Sequence, residues 1–491
     1  MEEREHSSQH QIRSEKVEAL SQKGVMAWPE GKEVTSTTQR AKDSFLAHEE
    51  SDVEYALAGR ILGMRGHGKT FFITIQDRSG QLQLYVRKDT LPEEDFAIVS
   101  QSLDLGDIIW CSGTLFKTKV GEVTLRAQAV TLVSKCLHPL PEKYHGLTST
   151  EQRYRQRYLD TMTNEESRQK FISRSHIIQT VREQLLEKDF LEVETPMLHP
   201  ISGGAIARPF VTHHNAYDMD LFLRIAPELY LKRLVIGGFD RVFEINRSFR
   251  NEGVSTRHNP EFTMIEFYMA YGNYHQGMNM TESIIAAAAK RVHGSTTVAY
   301  GEHTLEFSSP FKRMRLVDSL VEIGGFDREV VESEGITGLL AQHDVTGVGD
   351  KSLGERQLLL FEECVEKKLI QPTFITDYPI EVSPLARRKE GNASVAARFE
   401  LFIAGMEVSN GYNELNNPID QAQRFEEQVK GREKGDDEAH LFDSDYIKAL
   451  EHGLPPTVGV GIGIDRLVML LTNTTSIKDV ILFPTMKRLD G

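Results

Sequence analysis

Cysteine is scarce in this chain of 491 residues, which contains three: Cys111, Cys136 and Cys364. They lie far apart, and no CxxC pair is present that would indicate a zinc site or a thiol–disulfide centre. Three cysteines also cannot build a disulfide framework, so the composition favours a reducing compartment, and we expect the cytoplasm.

Long apolar runs are missing as well. No stretch approaches the roughly 18 consecutive apolar residues of a membrane-spanning helix. The polar, acid-containing start MEEREHSSQH resembles neither a signal peptide nor a transit peptide. We therefore expect no membrane partner. With 40% apolar and 26% charged residues, the chain has the balance of a globular protein. Its length allows about three domains, or two large ones.

Positive charge is in deficit, since 57 Lys and Arg stand against 72 Asp and Glu for a net charge of −15. Taken over the whole chain, this balance argues against a nucleic-acid partner. The deficit is uneven: residues 55–140 carry 10 basic against 8 acidic residues, whereas residues 1–54 carry 7 against 12 and residues 141–491 carry 40 against 52. A nucleic-acid partner for residues 55–140 therefore stays open.

The chain divides into segments of different character. Residues 1–54 predict a short helix and a loose arm. Residues 55–137 contain five β-rich runs separated by turn signals, with a helical stretch before the fourth, which indicates a five-stranded Greek-key barrel of the OB type. A proline-marked linker covers 138–150. Residues 151–491 mix strands and helices, so the fold class is α+β, with a helical insertion near 314–370.

The segment GMRGHGKT (63–70) matches the phosphate-loop pattern GxxxxGK[ST]. That motif requires a helix directly after it, so that loop amides and the helix start hold phosphate. Here the β-rich run FFITIQD follows instead. We therefore interpret the segment as a barrel hairpin with turn glycines.

The segment RSFRNEGVSTRHNPEF (247–262) concentrates polar groups between two apolar strands. Arg250 and Glu252 alternate on the first strand, and His258 and Phe262 follow on the return. A guanidinium binds phosphate with two parallel hydrogen bonds, and an aromatic ring can stack on a base. The alternative is a surface hairpin with solvated charges.

Glu400 and Glu407, in RFELFIAGMEVSNGYNELN, are seven residues apart, so strict strand alternation puts them on opposite faces. They converge only if Ala404 and Gly405 form a turn or bulge. Two converging carboxylates, together with the phosphates of a nucleoside triphosphate, could bind Mg²⁺. Otherwise they are ordinary surface glutamates.

GVGIGIDRL (459–467) has glycines at every second position, which leaves one strand face without side chains. A flat group could lie against such a face, although helix packing would also explain the glycines. Arg466 follows at the start of a helix, where its charge and the helix dipole would both attract phosphate.

In this order, the segments FLEVETPML (190–198), FRNE with HNPEF, and GVGIGIDR resemble the three signature motifs of class II aminoacyl-tRNA synthetases. A barrel before the catalytic domain resembles the layout of the aspartate, asparagine and lysine subgroup. The resemblance implies an antiparallel catalytic sheet flanked by helices, and a homodimer to which Pro196 in the first motif contributes.

The resemblance also implies a reaction. An amino acid and ATP form an enzyme-bound aminoacyl-adenylate, and the aminoacyl group then moves to tRNA, mainly through positioning and charge stabilisation. By motif match, Arg250 would hold the α-phosphate and the amino-acid carboxylate, Glu252 and Phe262 the adenine, and His258 and Arg466 the outer phosphates. The implied ATP site also includes Asn259. The resemblance implies four catalytic residues, which are Arg250, Glu252, His258 and Arg466. Glu400 and Glu407 match the carboxylates that bind Mg²⁺ in this family.

The amino acid can be argued from charge. Candidate pocket segments offer Glu228, Glu266 and Glu414 without an unpaired arginine, which suits a ligand with two ammonium groups and not aspartate. SGGAIARPF, TDYPIEVSPLARR and NGYNELN resemble the bacterial-type lysyl-tRNA synthetases. The resemblance implies lysine, ATP and tRNA(Lys) as partners and a lysine pocket comprising Gly204, Glu228, Glu266, Tyr268, Asn410, Tyr412 and Glu414.

The barrel in this subgroup reads the anticodon, and matching positions here are Arg60, Phe72 and Gln83. Alternation along FFITIQD puts Phe71 in the core and leaves Phe72 on the outer face, available for stacking on a base.

Three alternatives stay open. The enzyme could serve aspartate or asparagine, or it could be a non-catalytic tRNA-binding protein built on the same domains. It could also transfer lysine to a protein, although the barrel argues against that.

Overall fold

The computed structural model describes residues 2–48, 52–141, 147, 149–205, 207–349, 351–433 and 442–489. The chain forms two compact units, Met1–Thr148 and Ser149–Gly491. Part of the predicted linker, residues 142–146 and 148, lies outside the described residues.

The first unit is a closed five-stranded barrel with strand order β1-β2-β3-β5-β4, as the sequence predicts. Its elements are α1 (Glu2–Gln22), α2 (Thr38–His48), β1 (Glu54–His67), β2 (Thr70–Gln76), β3 (Gln81–Arg87), α3 (Glu93–Gln101), β4 (Ile108–Lys117) and β5 (Val123–Ser134).

Residues 1–54 differ from the expected loose arm. Leu20 and Phe45, from α1 and α2, are buried in the same core as the barrel strands. Arg13 further anchors α1 by donating to the carbonyls of Leu105 and Cys136, at 3.0 and 2.8 Å. The physical reason is that both helices carry apolar residues that cover one side of the barrel.

The motif GMRGHGKT is a hairpin between β1 and β2, and no helix follows it. Gly66 has a φ of +144°, and a Cβ there would lie 2.3 Å from the carbonyl oxygen of Thr70. The rejection of a phosphate loop is thereby confirmed.

The second unit is built on an eight-stranded sheet in the order β14-β15-β18-β19-β20-β11-β10-β6. Its six central strands are antiparallel, and the two edge strands pair in parallel with their neighbours. The helices of this unit are α4 (Thr150–Arg155), α5 (Arg157–Thr163), α6 (Glu165–Leu186), α7 (Glu228–Ile236), α8 (Tyr274–His293), α9 (Leu316–Glu322), α10 (Arg328–Val331), α11 (Ile336–Gln342), α12 (Leu353–Cys364), α13 (Pro418–Glu433), α14 (Ser444–Glu451) and α15 (Ile464–Leu471).

The strands of this unit include small hairpins outside the main sheet. They are β6 (Leu191–Glu192), β7 (Leu198–His199), β8 (Val211–His214), β9 (Met219–Leu223), β10 (Arg241–Phe249), β11 (Glu261–Ala270), β12 (Thr297–Tyr300), β13 (His303–Glu306), β14 (Lys312–Arg315), β15 (Thr373–Thr376), β16 (Arg388–Lys389), β17 (Asn392–Ala396), β18 (Arg398–Ile403), β19 (Met406–Asn413) and β20 (Thr457–Gly463). Short 3-10 turns lie at Glu366–Lys368, Ile380–Val382 and Ile477–Asp479.

One face of the main sheet carries the apolar core. Ile265 and Phe267 of β11 and Val460 and Ile462 of β20 pack there with residues of α6, α8 and α15. Because strand side chains alternate, the intervening residues of β11 and β20 point to the opposite face. That opposite face is where the polar groups converge.

The predicted helical insertion is present as α9 to α12, between the parallel strands β14 and β15. It has a hydrophobic core of its own, which includes Leu320, Leu340 and Phe361. A parallel pair needs a long crossover, and the insertion supplies it.

The first signature segment forms less strand than the sequence suggests. Only Leu191–Glu192 pairs in parallel with β10, and the next strand, β7, begins after Pro196. The carbonyl and hydroxyl of Thr195 instead accept hydrogen bonds from buried Arg224. Within the described part of the chain, no helix has the length and apolarity needed to cross a membrane.

Candidate functional site

A strand of alternating glycines forms the floor of the polar face. Strand β20 lies between β11 and β19, with Glu266 and Asn410 paired to the two sides of Gly461. Tyr268 and Tyr412 flank Gly459 in the same way. The result is a groove whose floor has no side chains and whose walls are polar.

The loop between β10 and β11 closes one end of this groove. A cavity of ≈ 220 Å³ there brings together all six residues predicted for ATP. They are Arg250, Glu252, His258, Asn259, Phe262 and Arg466. Gly461 and Gly463 also line the cavity, so the glycine floor extends under it.

Arg250 and Glu252 are not on a strand, because β10 ends at Phe249. The backbone N–H of Arg250 still donates to the carbonyl of Pro260, which holds the loop closed. The Arg250 guanidinium lies over the Phe262 ring, 5.1 Å from its centroid. Its buried Nε lacks a hydrogen-bond partner in the described structure, so it is available to an anionic ligand.

His258 and Arg466 meet across the cavity. Arg466 Nη2 lies 3.1 Å from His258 Nε2, and Arg466 Nη1 donates to the carbonyl of Glu407 at 2.6 Å. Partial burial and the charges of Arg466 and Arg250 lower the pKa of His258. The imidazole is therefore neutral near pH 7, and the two arginines carry the positive charge.

The hairpin between β18 and β19 meets the condition under which Glu400 and Glu407 converge. Ala404 and Gly405 both have positive φ, at 51° and 66°, which makes a tight turn. A bulge in β19 leaves Val408 without a partner on β18 and brings the two glutamates to one face. The turn on which their convergence depends is therefore present.

Glu400 and Glu407 line a second cavity of ≈ 360 Å³ beside the first. Burial raises the pKa of Glu400 to about 7, against the opposing charge of Arg398, and Tyr378 Oη donates to its carboxylate at 2.8 Å. The helical insertion contributes Glu362 and Glu366 to the same cavity, a role that the sequence did not suggest. Among the described residues, no three or more His, Cys, Asp or Glu side chains group so as to hold a metal.

Three buried carboxylates lie further along the groove. Glu228 and Glu266 are each 5% exposed and Glu414 is 2% exposed. Tyr412 Oη donates to both carboxylate oxygens of Glu228 at 2.8 Å, and Tyr268 Oη donates to Glu266 at 2.9 Å. The structure therefore brings together the residues predicted for the amino-acid pocket.

Two glycines allow this pocket to form. A Cβ at Gly459 would lie 2.1 Å from Glu414 Oε1, so only glycine leaves room for that carboxylate. Gly204, with a φ of +93°, lies against Ala226 and the Cβ of Glu228.

The pocket contains a residue that the sequence analysis missed. Lys232 Nζ lies 2.7 Å from Glu228 Oε1 and 2.7 Å from Glu414 Oε2. The available signal was its position four residues after Glu228 in a helix, which puts both on one helix face.

Burial controls the protonation of the pocket. It raises the pKa of Glu266 to about 8, with a further contribution from the charge of Glu228. It also raises the pKa of Glu414 to about 8, although Lys232 opposes that shift.

The barrel carries a second candidate site on its outer surface. Phe71 is buried and Phe72 is not, which confirms the predicted alternation. The rings of Phe72 and Tyr85 lie 5.0 Å apart, Tyr85 and Phe116 lie 5.9 Å apart, and Arg126 lies 5.0 Å from the Phe116 centroid. These four side chains form a continuous row.

Two of the residues predicted for this surface lie differently from the expectation. Gln83 is buried and donates to Thr124 and Glu122, at 3.0 and 3.2 Å. Arg60 is separated from the ring row, because it pairs with Gln76 and donates to the carbonyl of Gly106. Arg65, directly opposite Phe72 on β1, is exposed.

Pro196 is exposed, as are Met197 and Leu198 beside it, at 47% and 44%. The exposed surface at this segment is therefore apolar.

Comparison with known proteins gives two family matches. Residues 149–487 match the family model for tRNA synthetases class II (D, K and N), and residues 55–133 match the OB-fold nucleic acid binding domain.

Several curated proteins are similar over most of their length. A lysine–tRNA ligase of Shouchella clausii is 52% identical over 97% of this chain and 96% of its own, and one of Oceanobacillus iheyensis is 54% identical over 89% of each. A heat-inducible lysine–tRNA ligase of Escherichia coli K12 is 49% identical over 97% of this chain and 95% of its own.

Proposed function

The chain belongs to the class II tRNA synthetases of the D, K and N group, and we propose that it attaches lysine to tRNA(Lys) in translation. Lysine and ATP form an enzyme-bound lysyl-adenylate with release of pyrophosphate. The lysyl group then passes to the tRNA, and AMP is released.

The charge of the amino-acid pocket carries the choice of lysine. The pocket contains one buried ammonium, that of Lys232, and three buried carboxylates, those of Glu228, Glu266 and Glu414. Its net charge is −2 when all four groups are ionised. Lysine brings two ammonium groups, which match this charge. Aspartate or asparagine would bring one ammonium and leave a buried carboxylate uncompensated, at a cost of several kcal/mol, which is typical of an unpaired buried ion.

The first step joins a carboxylate oxygen of lysine to the α-phosphorus of ATP and breaks the bond to pyrophosphate. Arg250, between the two pockets, is suited to hold the lysine carboxylate and the α-phosphate together. Phe262 offers a stacking surface for adenine, Glu252 and Asn259 offer polar contacts, and His258 and Arg466 face the leaving phosphates. The fixed charge of Arg466 at that end would stabilise the charge of the leaving group.

Mg²⁺ fits the donor set of Glu400 and Glu407, since this ion commonly takes one or two protein carboxylates and completes its shell with phosphate and water. Bound there, it would neutralise part of the charge on the outer phosphates. The converging carboxylates at the second cavity support this assignment.

The barrel is suited to bind the anticodon. Phe72 can stack on an unpaired base, and Gln83 can contact a base edge if its hydrogen bonds to Thr124 and Glu122 exchange. Arg65 lies opposite Phe72 on β1 and is suited to contact RNA beside that ring, whereas Arg60 donates to the carbonyl of Gly106. Exposed apolar residues around Pro196 support a homodimer through the first signature segment.

Amino-acid-dependent exchange of pyrophosphate into ATP, measured with each of the twenty amino acids, tests the proposal. We expect exchange with lysine alone, followed by lysine attachment to tRNA(Lys). Exchange with aspartate or asparagine would reassign the substrate, and no exchange with any amino acid would leave a non-catalytic tRNA-binding protein. Exchange with lysine without tRNA charging would indicate a different acceptor.

A further inference from the structure

Lys232 is the one buried cation among the three carboxylates of the amino-acid pocket, within the described residues. It is 0% exposed and lies on α7, one turn after Glu228. Its ammonium makes two ion pairs of 2.7 Å, to Glu228 on its own helix and to Glu414 after β19. Both carboxylates also belong to the proposed lysine site.

We propose that Lys232 is a positioning and specificity residue: its ammonium ties Glu228 to Glu414 and sets the net charge that the pocket presents to the amino acid. This inference rests on the proposed function, because it takes lysine as the ligand. It goes further in assigning a role to a side chain that donates to the carboxylates and not to the substrate.

The first argument is geometric. Glu228 and Glu414 come from sequence positions 186 residues apart and from different elements, yet one ammonium bonds an oxygen of each. The second oxygen of Glu228 accepts from Tyr412, and Oε1 of Glu414 lies over Gly459. Lys232 therefore restricts where both carboxylates can lie before any ligand enters.

The second argument is the charge count. With Lys232 present and all three carboxylates ionised, the pocket carries −2, and a ligand with two ammonium groups neutralises it. Without Lys232, the fully ionised pocket would carry −3, and one buried carboxylate would have to stay protonated when lysine is bound.

Three titratable groups on different elements face Lys232. They are Glu228 on α7, Glu414 after β19 and Tyr446 on α14, whose ring centroid is 5.6 Å from Nζ. Burial alone would lower the pKa of Lys232, but the two glutamates raise it well above its ordinary value. Lys232 therefore stays charged, and pH acts on the pocket through the carboxylates.

The test is a double-mutant cycle that changes the pocket charge, measured by lysine-dependent pyrophosphate–ATP exchange at pH 7. Glu414→Gln leaves a pocket charge of −1 and should raise the lysine KM about thirtyfold or more. Lys232→Met in the same chain restores −2, and should lower that KM about fivefold or more relative to Glu414→Gln alone. A double variant with a KM no lower than that of Glu414→Gln would overturn the proposal.

Lys232→Met alone provides a second readout. It should raise the lysine KM at pH 7, and the pH at which KM levels off should move upward by about one unit or more, with the ATP KM nearly unchanged. An equal loss at every pH would indicate a structural role and contradict the proposal. If this variant does not fold, the double variant still decides, because it removes both members of a buried ion pair together.

Lys290→Met is the matched control, since Lys290 is an exposed lysine on α8, outside the pocket. It should leave both KM values unchanged. Failure of the wild-type protein to exchange with lysine would instead refute the proposed function, so the two failures are distinguishable.

Discussion

At the scale of single residues, the candidate site depends on charges that are buried together. The amino-acid pocket holds three carboxylates, each at most 5% exposed, and one ammonium. Such a cluster is unfavourable unless a ligand or protons compensate it. Proton binding and ligand binding must therefore compete at this site.

The pH dependence of lysine binding follows from that competition. Burial raises the pKa of Glu266 and of Glu414 to about 8, so below pH 8 the empty pocket is partly protonated. Ammonium groups bind the ionised carboxylates, so binding releases protons, and affinity must rise with pH up to about 8. We expect the lysine KM to fall about threefold or more per pH unit between pH 6.5 and 8.

Exchange kinetics at several pH values check this expectation, with the ATP KM as the internal control. A lysine KM that does not change over this range would mean that Glu266 and Glu414 are already ionised in the empty enzyme.

At the scale of elements, β20 determines the shape of the site. Its glycines occur at every second position, and the pairing of β20 with β11 and β19 puts all of them on the polar face. The two neighbouring strands then supply opposite walls of one groove. The hairpin of β18 and β19 adds the bulge that brings Glu407 to the same face as Glu400.

Gly459→Ala tests the importance of this floor. The new Cβ would lie 2.1 Å from Glu414 Oε1 and 2.5 Å from Tyr268 Cε1, so both side chains must move. We expect the lysine KM to rise about tenfold or more, equivalent to about 1.4 kcal/mol, with a smaller effect on the ATP KM. Steady-state exchange kinetics provide both numbers.

Gly338→Ala is the comparison for this substitution. Gly338 lies in α11, and nothing lies within 4 Å of an added Cβ, so its kinetics should match the wild type. Equal lysine KM values for Gly459→Ala and Gly338→Ala would show that Glu414 is not needed in its observed position.

At the scale of the whole molecule, the two compact units separate two tasks. Each has its own hydrophobic core, and the residues that we propose for adenylate formation all belong to the second unit. The barrel has a net positive charge although the chain as a whole is acidic. The local field, and not the total charge, is what an RNA would meet.

Phe72→Ala should therefore weaken tRNA binding without changing adenylate formation. We expect the tRNA KM to rise about tenfold or more, because loss of one stacking ring costs about 1–3 kcal/mol per base. Lysine-dependent exchange should be unchanged. Val120→Ala, at an 88% exposed residue of the β4–β5 turn, is the control. An equal loss of exchange activity in Phe72→Ala would contradict the separation.

The sequence by itself determined the elements and most of the groups in the site. Alternating apolar residues specify the barrel strands. The spacing of Glu400 and Glu407 indicated that these carboxylates converge only if the chain turns or bulges at Ala404 and Gly405. The order of the polar motifs indicated the family. The strands and the turn depend on neighbours within a few residues, where strand alternation and turn chemistry act.

Only the tertiary structure decided what lies opposite what. In the fold, Lys232 pairs with Glu414, which lies 182 residues later in the chain. The strand register pairs Arg65, and not Arg60, with Phe72. Glu362 and Glu366 of the insertion line the second cavity. The fold also packs α1 and α2 onto the barrel. The reason is that charge pairing and burial depend on distances across the fold, which sequence spacing does not encode.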